Sequence, residues 1–359
     1  MAQLTDDCFA FGGKLTPVDE ALDQLKGTLK PSAKTEQVPL VGALNRILAE
    51  SIISRKNVPA DNNSAVDGFS IYYDDIQSGS ETKLPIIGRA IAGVPLGYPQ
   101  NRGEAVQILT GALMPDGPGE QRPDTVVMLE DCLVDGEVVC LPRGIHRGAN
   151  CRLLGEDIKC GETILSAGCR LRPQEIGLAA SIGYGHLPVM VPLKVAVFST
   201  GNEVLDPGNS LFEGAIYDSN RYTLMQLLRS VGCEVADLGI LEDDPKVIAD
   251  SLLSATTKYD LILTSGGVST GEEDHVRKVV EQKGSLLFWR LAIKPGRPVA
   301  LGQINDAVFI GLPGNPVAAM VTFLQIARPI ILKLSGANDT VPKLFSVQSD
   351  FSYKKKLHR

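Results

Sequence analysis

From Lys194 to Leu332, short apolar runs of β character alternate in regular order with runs of helical periodicity. This alternation constrains the fold more than any other feature of the chain. Strands are expected at 194–199, 234–239, 260–264, 286–291 and 307–311, and helices at about 220–231, 245–256, 274–283 and 316–332. Strands joined through helices require crossovers, so the sheet should be mostly parallel and covered on both faces. The run Asp260-Leu-Ile-Leu-Thr264 lacks polar alternation, as a central strand buried on both sides would. The expected fold class is therefore α/β, a doubly wound and mostly parallel sheet over residues 188–335.

Upstream the pattern changes. Residues 15–29 read as a helix, with Thr16 at the N-cap, Pro17 in the first turn and Val18, Leu22 and Leu25 on one face. From 59 to 148, short β-rich runs (84–92, 105–109, 125–129, 137–141) are separated by Gly and Pro clusters, as in an inserted β-rich domain. Residues 149–187 are mixed, with a helix expected at Pro173–Ser181. The division this suggests is a discontinuous, elongated α+β domain (1–58 and 149–187), the inserted β-rich domain (59–148), the α/β domain (188–335), and a last β-like run at Lys343–Ser349 within 336–359.

Composition excludes some functions. Lys and Arg total 35 against 42 acids, a formal charge of −7, so the molecule as a whole should repel nucleic acid and anionic membranes. The basic run Lys354-Lys355-Lys356 reads as a solvated tail. The most apolar long stretch, Val317 to Leu334, is interrupted by Gln325, Arg328 and Lys333, so no membrane span is expected. The first residues are acidic and have no apolar core, unlike a signal peptide. The seven cysteines form no CxxC pair, which suits a reducing cytoplasm better than a zinc site or a disulfide framework.

In doubly wound sheets ligands collect at the carboxyl ends of the strands, where helix N-termini point their free amides. Four loops here sit at that edge. The first, Ser265-Gly266-Gly267-Val268-Ser269-Thr270-Gly271-Glu272-Glu273-Asp274, combines glycines, hydroxyls and a helix start, as a phosphate-binding turn would. It is neither a Walker loop nor GxGxxG, and an ordinary capped glycine turn remains open. The second, Ser199-Thr200-Gly201-Asn202-Glu203, carries an acid able to coordinate a divalent ion. In the third, Ile216-Tyr-Asp-Ser-Asn-Arg221, Asp218 and Ser219 could equally be helix caps. In the fourth, Leu312-Pro-Gly314-Asn315-Pro316, the proline suits a first helical turn. A further segment, Trp289 to Pro298, places Arg290, Lys294 and Arg297 together with no acid between Leu286 and Asn305, which suits a polyanionic ligand. Outside this domain Asn62–Phe69 and Arg152–Ile158 each place an acid beside glycine and would pass as turns on chemistry alone.

Taken in order, the segments NNSAVDGF, QILTGALMP with VVMLED, GEDI, FSTGNEV, IYDSNR, SGGVSTGEEDH, FWRLAIKPGRP and GLPGNP resemble the MoeA/gephyrin-type molybdopterin molybdenumtransferases over most of the chain. The resemblance implies insertion of molybdenum from molybdate into adenylylated molybdopterin with release of AMP, assisted by Mg²⁺. It implies functional roles for Asp67, Asp157, Glu203, Asp218, Asp274 and Lys294, with Glu203, Asp218 and Asp274 as the metal ligands. Ligand-binding positions would be Thr110, Ser199, Thr200, Gly201, Ser265, Gly266, Gly267, Val268, Ser269, Arg290, Arg297, Pro298, Gly314 and Asn315. Arg290 stands where the family often has Lys, exchanging a point charge for a planar fork. The resemblance further implies a homodimer in which Asp67 and Asp157 reach across the interface, and the molybdopterin adenylyltransferase as a partner. It also implies a C-terminal β domain of which 336–359 would be only the beginning. Two rival readings are a non-catalytic molybdopterin-binding scaffold and an adenylyltransferase acting one step earlier. The latter would resemble only residues 193–332.

Overall fold

The computed structural model describes residues 15–25, 29, 31, 34–77, 80–267, 275–341 and 345–352. The chain forms two compact units, one of 1–50, 166–176 and 185–359, the other of 51–165 and 177–184.

The first unit is built on a six-stranded sheet. In chain order its elements are β1 (Lys194–Thr200), α1 (Asn220–Ser230), β2 (Glu234–Leu241), α2 (Pro245–Ala255), β3 (Leu261–Ser265), α3 (His275–Lys283), β4 (Ser285–Arg290), β5 (Pro298–Ile304), β6 (Ala307–Leu312), α4 (Pro316–Thr322) and α5 (Arg328–Leu334). Spatial order is β2-β1-β3-β6-β5-β4. The pairs β1–β2, β1–β3 and β3–β6 are parallel, whereas β5 pairs antiparallel with both β6 and β4.

Both faces are covered, which is why the strands lack polar alternation. Val195 and Val197 of β1 enter one apolar cluster with Leu224 and Leu228 of α1 and Phe323, Ile326 and Ile330 of the 316–334 helix. Ala196 and Phe198, pointing the other way, join Ile248 and Leu252 of α2 and Val276 and Val279 of α3. Strand β3 divides likewise, Leu261 and Leu263 to one side and Ile262 to the other. Each fully buried Leu, Ile, Val or Phe contributes about 1.5–3 kcal/mol, so the two layers hold the sheet edge firmly in place.

The continuous helix 316–334 is, among the described residues, the one long and apolar enough to cross a membrane, and most of it is buried inside the fold. Its apolar side is the core-facing side. Between α4 and α5 it widens into a π-type turn over Phe323–Ala327, just ahead of Pro329, which has no N–H to continue the regular ladder.

Three expectations need correction. Strand β5 was not anticipated: its sequence opens on Pro298 and carries Gly302, which read as turn residues. Proline is tolerated here because it is the first residue of the strand. Thr16 does not cap a helix. Its N–H donates to the Arg290 carbonyl at 2.8 Å and its carbonyl accepts from the Ala292 N–H at 2.8 Å, and the helix begins at Val18. Finally, 345–349 form no strand, with Phe345 and Val347 exposed, since a lone extended run has no backbone partner to pair with. The basic run Lys354–Lys356 and the acidic N-terminal residues lie outside the described residues.

The second unit centres on a curled six-stranded sheet, in the order 125–128, 68–71, 105–108, 82–90, 138–141 and 133–135. Its core includes Phe69, Ile71, Leu84, Val127, Val139 and Leu141.

Candidate functional site

Register places the loops of the α/β unit at one edge. Ser199 of β1 is level with Ser265 of β3, and Ser265 with Leu312 of β6, so all three parallel strands end together. Ala300 of β5 lies opposite Gly311, which puts its first residue, Pro298, at the same edge. Arg290, opposite Pro298, ends β4 there as well. Thr200, Gly201, Ser265, Gly266, Gly267, Arg290, Pro298, Gly314 and Asn315 therefore share one rim. Val268, Ser269 and Asp274 lie outside the described residues.

The turn after β3 depends on glycine. Gly267 has φ +65°, and a Cβ there would come within 2.8 Å of Val276 Cγ2 and 3.0 Å of Thr200 Cγ2. Without side chains the turn lies flat against β1 and α3, with the Gly266 N–H donating to the Leu312 carbonyl at 3.0 Å. After β1, a Cβ on Gly201 (φ +138°) would meet the Glu203 carboxylate at 2.7 Å, so that exposed carboxylate folds back over its own turn. Thr200 donates its hydroxyl to Asp243 at 3.3 Å, adding an acid from the end of β2 that sequence reasoning did not single out. Asn315 caps α4 by accepting from the Ala318 N–H at 3.0 Å.

The cationic segment between β4 and β5 closes on itself, the Leu291 N–H donating to the Arg297 carbonyl at 2.8 Å. This brings Arg290, Lys294 and Arg297 around one small loop. Lys294 is exposed and Arg297 is buried, which is not the pattern of a purely solvated basic face.

Asp218 is buried and already engaged. One oxygen accepts from the Arg221 N–H at 3.1 Å and the other from Arg221 Nε at 2.9 Å. Arg221, also buried, bonds Asp237 and Asp206 with its remaining nitrogens. Burial opposes its charge, but the hydrogen bonds it donates to Asp218 and Asp237 outweigh that and raise its pKa above the ordinary guanidinium value. Asp237 lies on β2 and Asp206 in the loop after β1, with no motif to announce either. Among the described residues no three metal-binding side chains gather.

In the second unit, motifs far apart in sequence meet. Asn63–Ser64 pairs antiparallel with Cys151–Arg152, and Asn62 Oδ1 accepts from the Leu154 N–H at 2.7 Å. The Asp157 N–H donates to the Val58 carbonyl at 3.0 Å, while its carboxylate is paired with Arg152. Asp67 accepts from Thr110 twice, from the N–H at 2.7 Å and from Oγ1 at 2.6 Å. These bonds, the hydroxyl's first, hold the Asp67 carboxyl below its usual range. Two segments that would pass as turns are thus neighbours, and both present exposed acids.

Residues 16–183 match the MoeA N-terminal region (domain I and II), and residues 196–333 match a probable molybdopterin binding domain. The chain is 40% identical over 347 residues to the molybdopterin molybdenumtransferase of Haemophilus influenzae, covering 95% of this chain and 83% of that protein. This chain belongs to the MoeA family of molybdopterin molybdenumtransferases. A Nostoc enzyme of the same name is 33% identical, with 84% and 70% coverage. The structure of the molybdopterin biosynthesis MoeA protein from Pyrococcus horikoshii OT3 superposes with a TM-score of 0.74 at 30% identity, covering 91% of this chain and 81% of that one. The match over 16–183 also sets aside the stand-alone adenylyltransferase reading, which accounts for the α/β unit only.

Proposed function

We propose that this chain inserts molybdenum from molybdate into adenylylated molybdopterin, releasing AMP and yielding molybdenum cofactor. The observation that carries this reading is the common rim formed by the ends of β1, β3 and β6 with the Arg290–Arg297 loop, in a chain of this family. The backbone amide of Gly267 and the cations Lys294 and Arg297 suit the phosphates that join the pterin to AMP. As negative charge grows on the departing AMP, fixed cations beside it lower the barrier without having to reorganise.

We assign Asp67, Asp157, Glu203, Asp218, Asp274 and Lys294 to the working site. Asp67 and Asp157 would serve the α/β rim of a second subunit in a homodimer. Asp218, held by Arg221, acts by shaping the turn before α1. Asp218 is committed to Arg221 and Asp274 lies outside the described residues, so the described residues alone do not make a Mg²⁺ cage. We further place the enzyme in the cytoplasm, where its cysteines, free among the described residues, stay reduced. There it would receive its substrate from the adenylyltransferase of the preceding step.

Incubating the protein with adenylylated molybdopterin and either molybdate or tungstate, with and without Mg²⁺, tests the reading by AMP release. Oxyanion-dependent release is expected, and it should disappear in Asp274→Ala. Tight pterin binding with no AMP release would favour the scaffold reading instead.

A further inference from the structure

The amide of Asn220, at the first position of α1, bridges two loops of the rim. Nδ2 lies 2.7 Å from Ser265 Oγ at the end of β3 and 2.7 Å from the Gly314 carbonyl oxygen after β6. A carbonyl oxygen can only accept, so the atom facing Gly314 must be the NH₂ group, and its two hydrogens serve the two partners. Asn220 is thus a donor to both loops at once. The parallel strands β3 and β6 have run out of ladder at this point, their last paired residues being Ser265 and Leu312. Beyond them the Gly266 N–H to Leu312 carbonyl bond is the main-chain tie between the two turns.

The bridge also settles the polarity of Ser265. Its buried hydroxyl uses a lone pair on Asn220, so its own proton points elsewhere, and no acceptor for it is found among the described residues. A serine held as an acceptor on one side is a ready donor on the other, toward the rim where the Gly267 amide also lies. We propose that Asn220 is a positioning residue for the molybdopterin substrate. It locks the turns after β3 and β6 together and aims the Ser265 hydroxyl at a phosphate or pterin oxygen. This deepens the proposed function and rests on it.

The choice of variant separates this role from helix stability. Aspartate at the first position of α1 favours the helix dipole, yet its carboxylate has no hydrogen to give the Gly314 carbonyl, and Ser265 can pair with it only by donating, which turns that hydroxyl away from the rim. Asn220→Asp should therefore fold at least as well as Asn220→Ala while losing the bridge. A hydrogen bond to a charged phosphate oxygen is among the stronger ones, so losing the aim of Ser265 should raise KM for adenylylated molybdopterin about tenfold to a hundredfold in both variants, with kcat less affected. In a Ser265→Ala background the Asn220→Ala effect should shrink by about threefold or more, because coupled residues do not add.

Amide hydrogen exchange on the substrate-free protein tests the tie without reference to the reaction. Gly266 and the residues after β6 should exchange faster in both variants. Unchanged exchange, or unchanged KM in Asn220→Asp, overturns the proposal. Absence of AMP release in the wild-type protein defeats the functional reading instead and leaves the exchange result to judge the bridge.

Discussion

Replacing Arg221 by methionine should destabilise the α/β unit far more than removing any carboxylate exposed beside it. The side chains of Arg221 and Asp218 are each 3% exposed, whereas those of Asp206 and Asp237 are 44% and 37% exposed. In Arg221→Met the Asp218 carboxylate stays buried with only the residue-221 backbone N–H, at 3.1 Å, as its partner. Removing one member of a buried ion pair costs about 3–5 kcal/mol, a large part of the total stability of an ordinary domain. Asp206→Asn and Asp237→Asn remove solvated partners and should each cost about 1 kcal/mol or less. Asp218→Asn combined with Arg221→Met removes both buried charges, and part of the loss should return. Urea unfolding followed by far-ultraviolet circular dichroism measures these losses. If Arg221→Met unfolds within about 1 kcal/mol of wild type, or Asp206→Asn costs as much, the buried Asp218–Arg221 pair is not what holds the turn.

Two further predictions concern ionisation. Thr110→Val removes the hydroxyl donor that chiefly lowers the Asp67 pKa, so this carboxyl should titrate closer to an ordinary aspartate. Carbon-detected NMR titration measures this, and an identical midpoint in the variant rules the hydrogen bond out as the cause. Glu175 is held down to about 2, chiefly by its bonds to the Arg172 guanidinium. A depressed carboxylate stabilises above its unfolded pKa and loses that contribution as pH falls through the folded one. The melting-temperature gap between wild type and Glu175→Gln should therefore be constant above about pH 5 and narrow between about pH 4.5 and pH 2. A gap that widens on acidification would contradict the sign.

Much of the architecture was readable in the chain itself. Apolar run length marked β1, β3 and β6 because these central strands are buried on both faces, the edge strands β2 and β4 were marked by their place in the strand–helix alternation, and the glycine, serine and proline turns announced where those strands stop. The rim was readable too, since in a parallel sheet the loops after successive strands fall on one edge whatever their sequence. Strand β5 escaped because its proline and glycine have local preferences for turns, and only pairing with β4 and β6 overrides them. The state of Asp218 escaped for a different reason. Its buried partner Arg221 is three residues away and visible, but Asp237 and Asp206, which complete the cluster, come from β2 and from another loop. Local sequence thus determined which segments become strands, helices and turns, because those choices depend on periodicity and on backbone torsion. Which side chains face one another was decided by the tertiary structure. Asn220 between Ser265 and Gly314, Arg221 among three aspartates, and Asn62 against Leu154 are contacts that exist only after distant segments pack, and burial then makes leaving any of these polar groups unpaired costly.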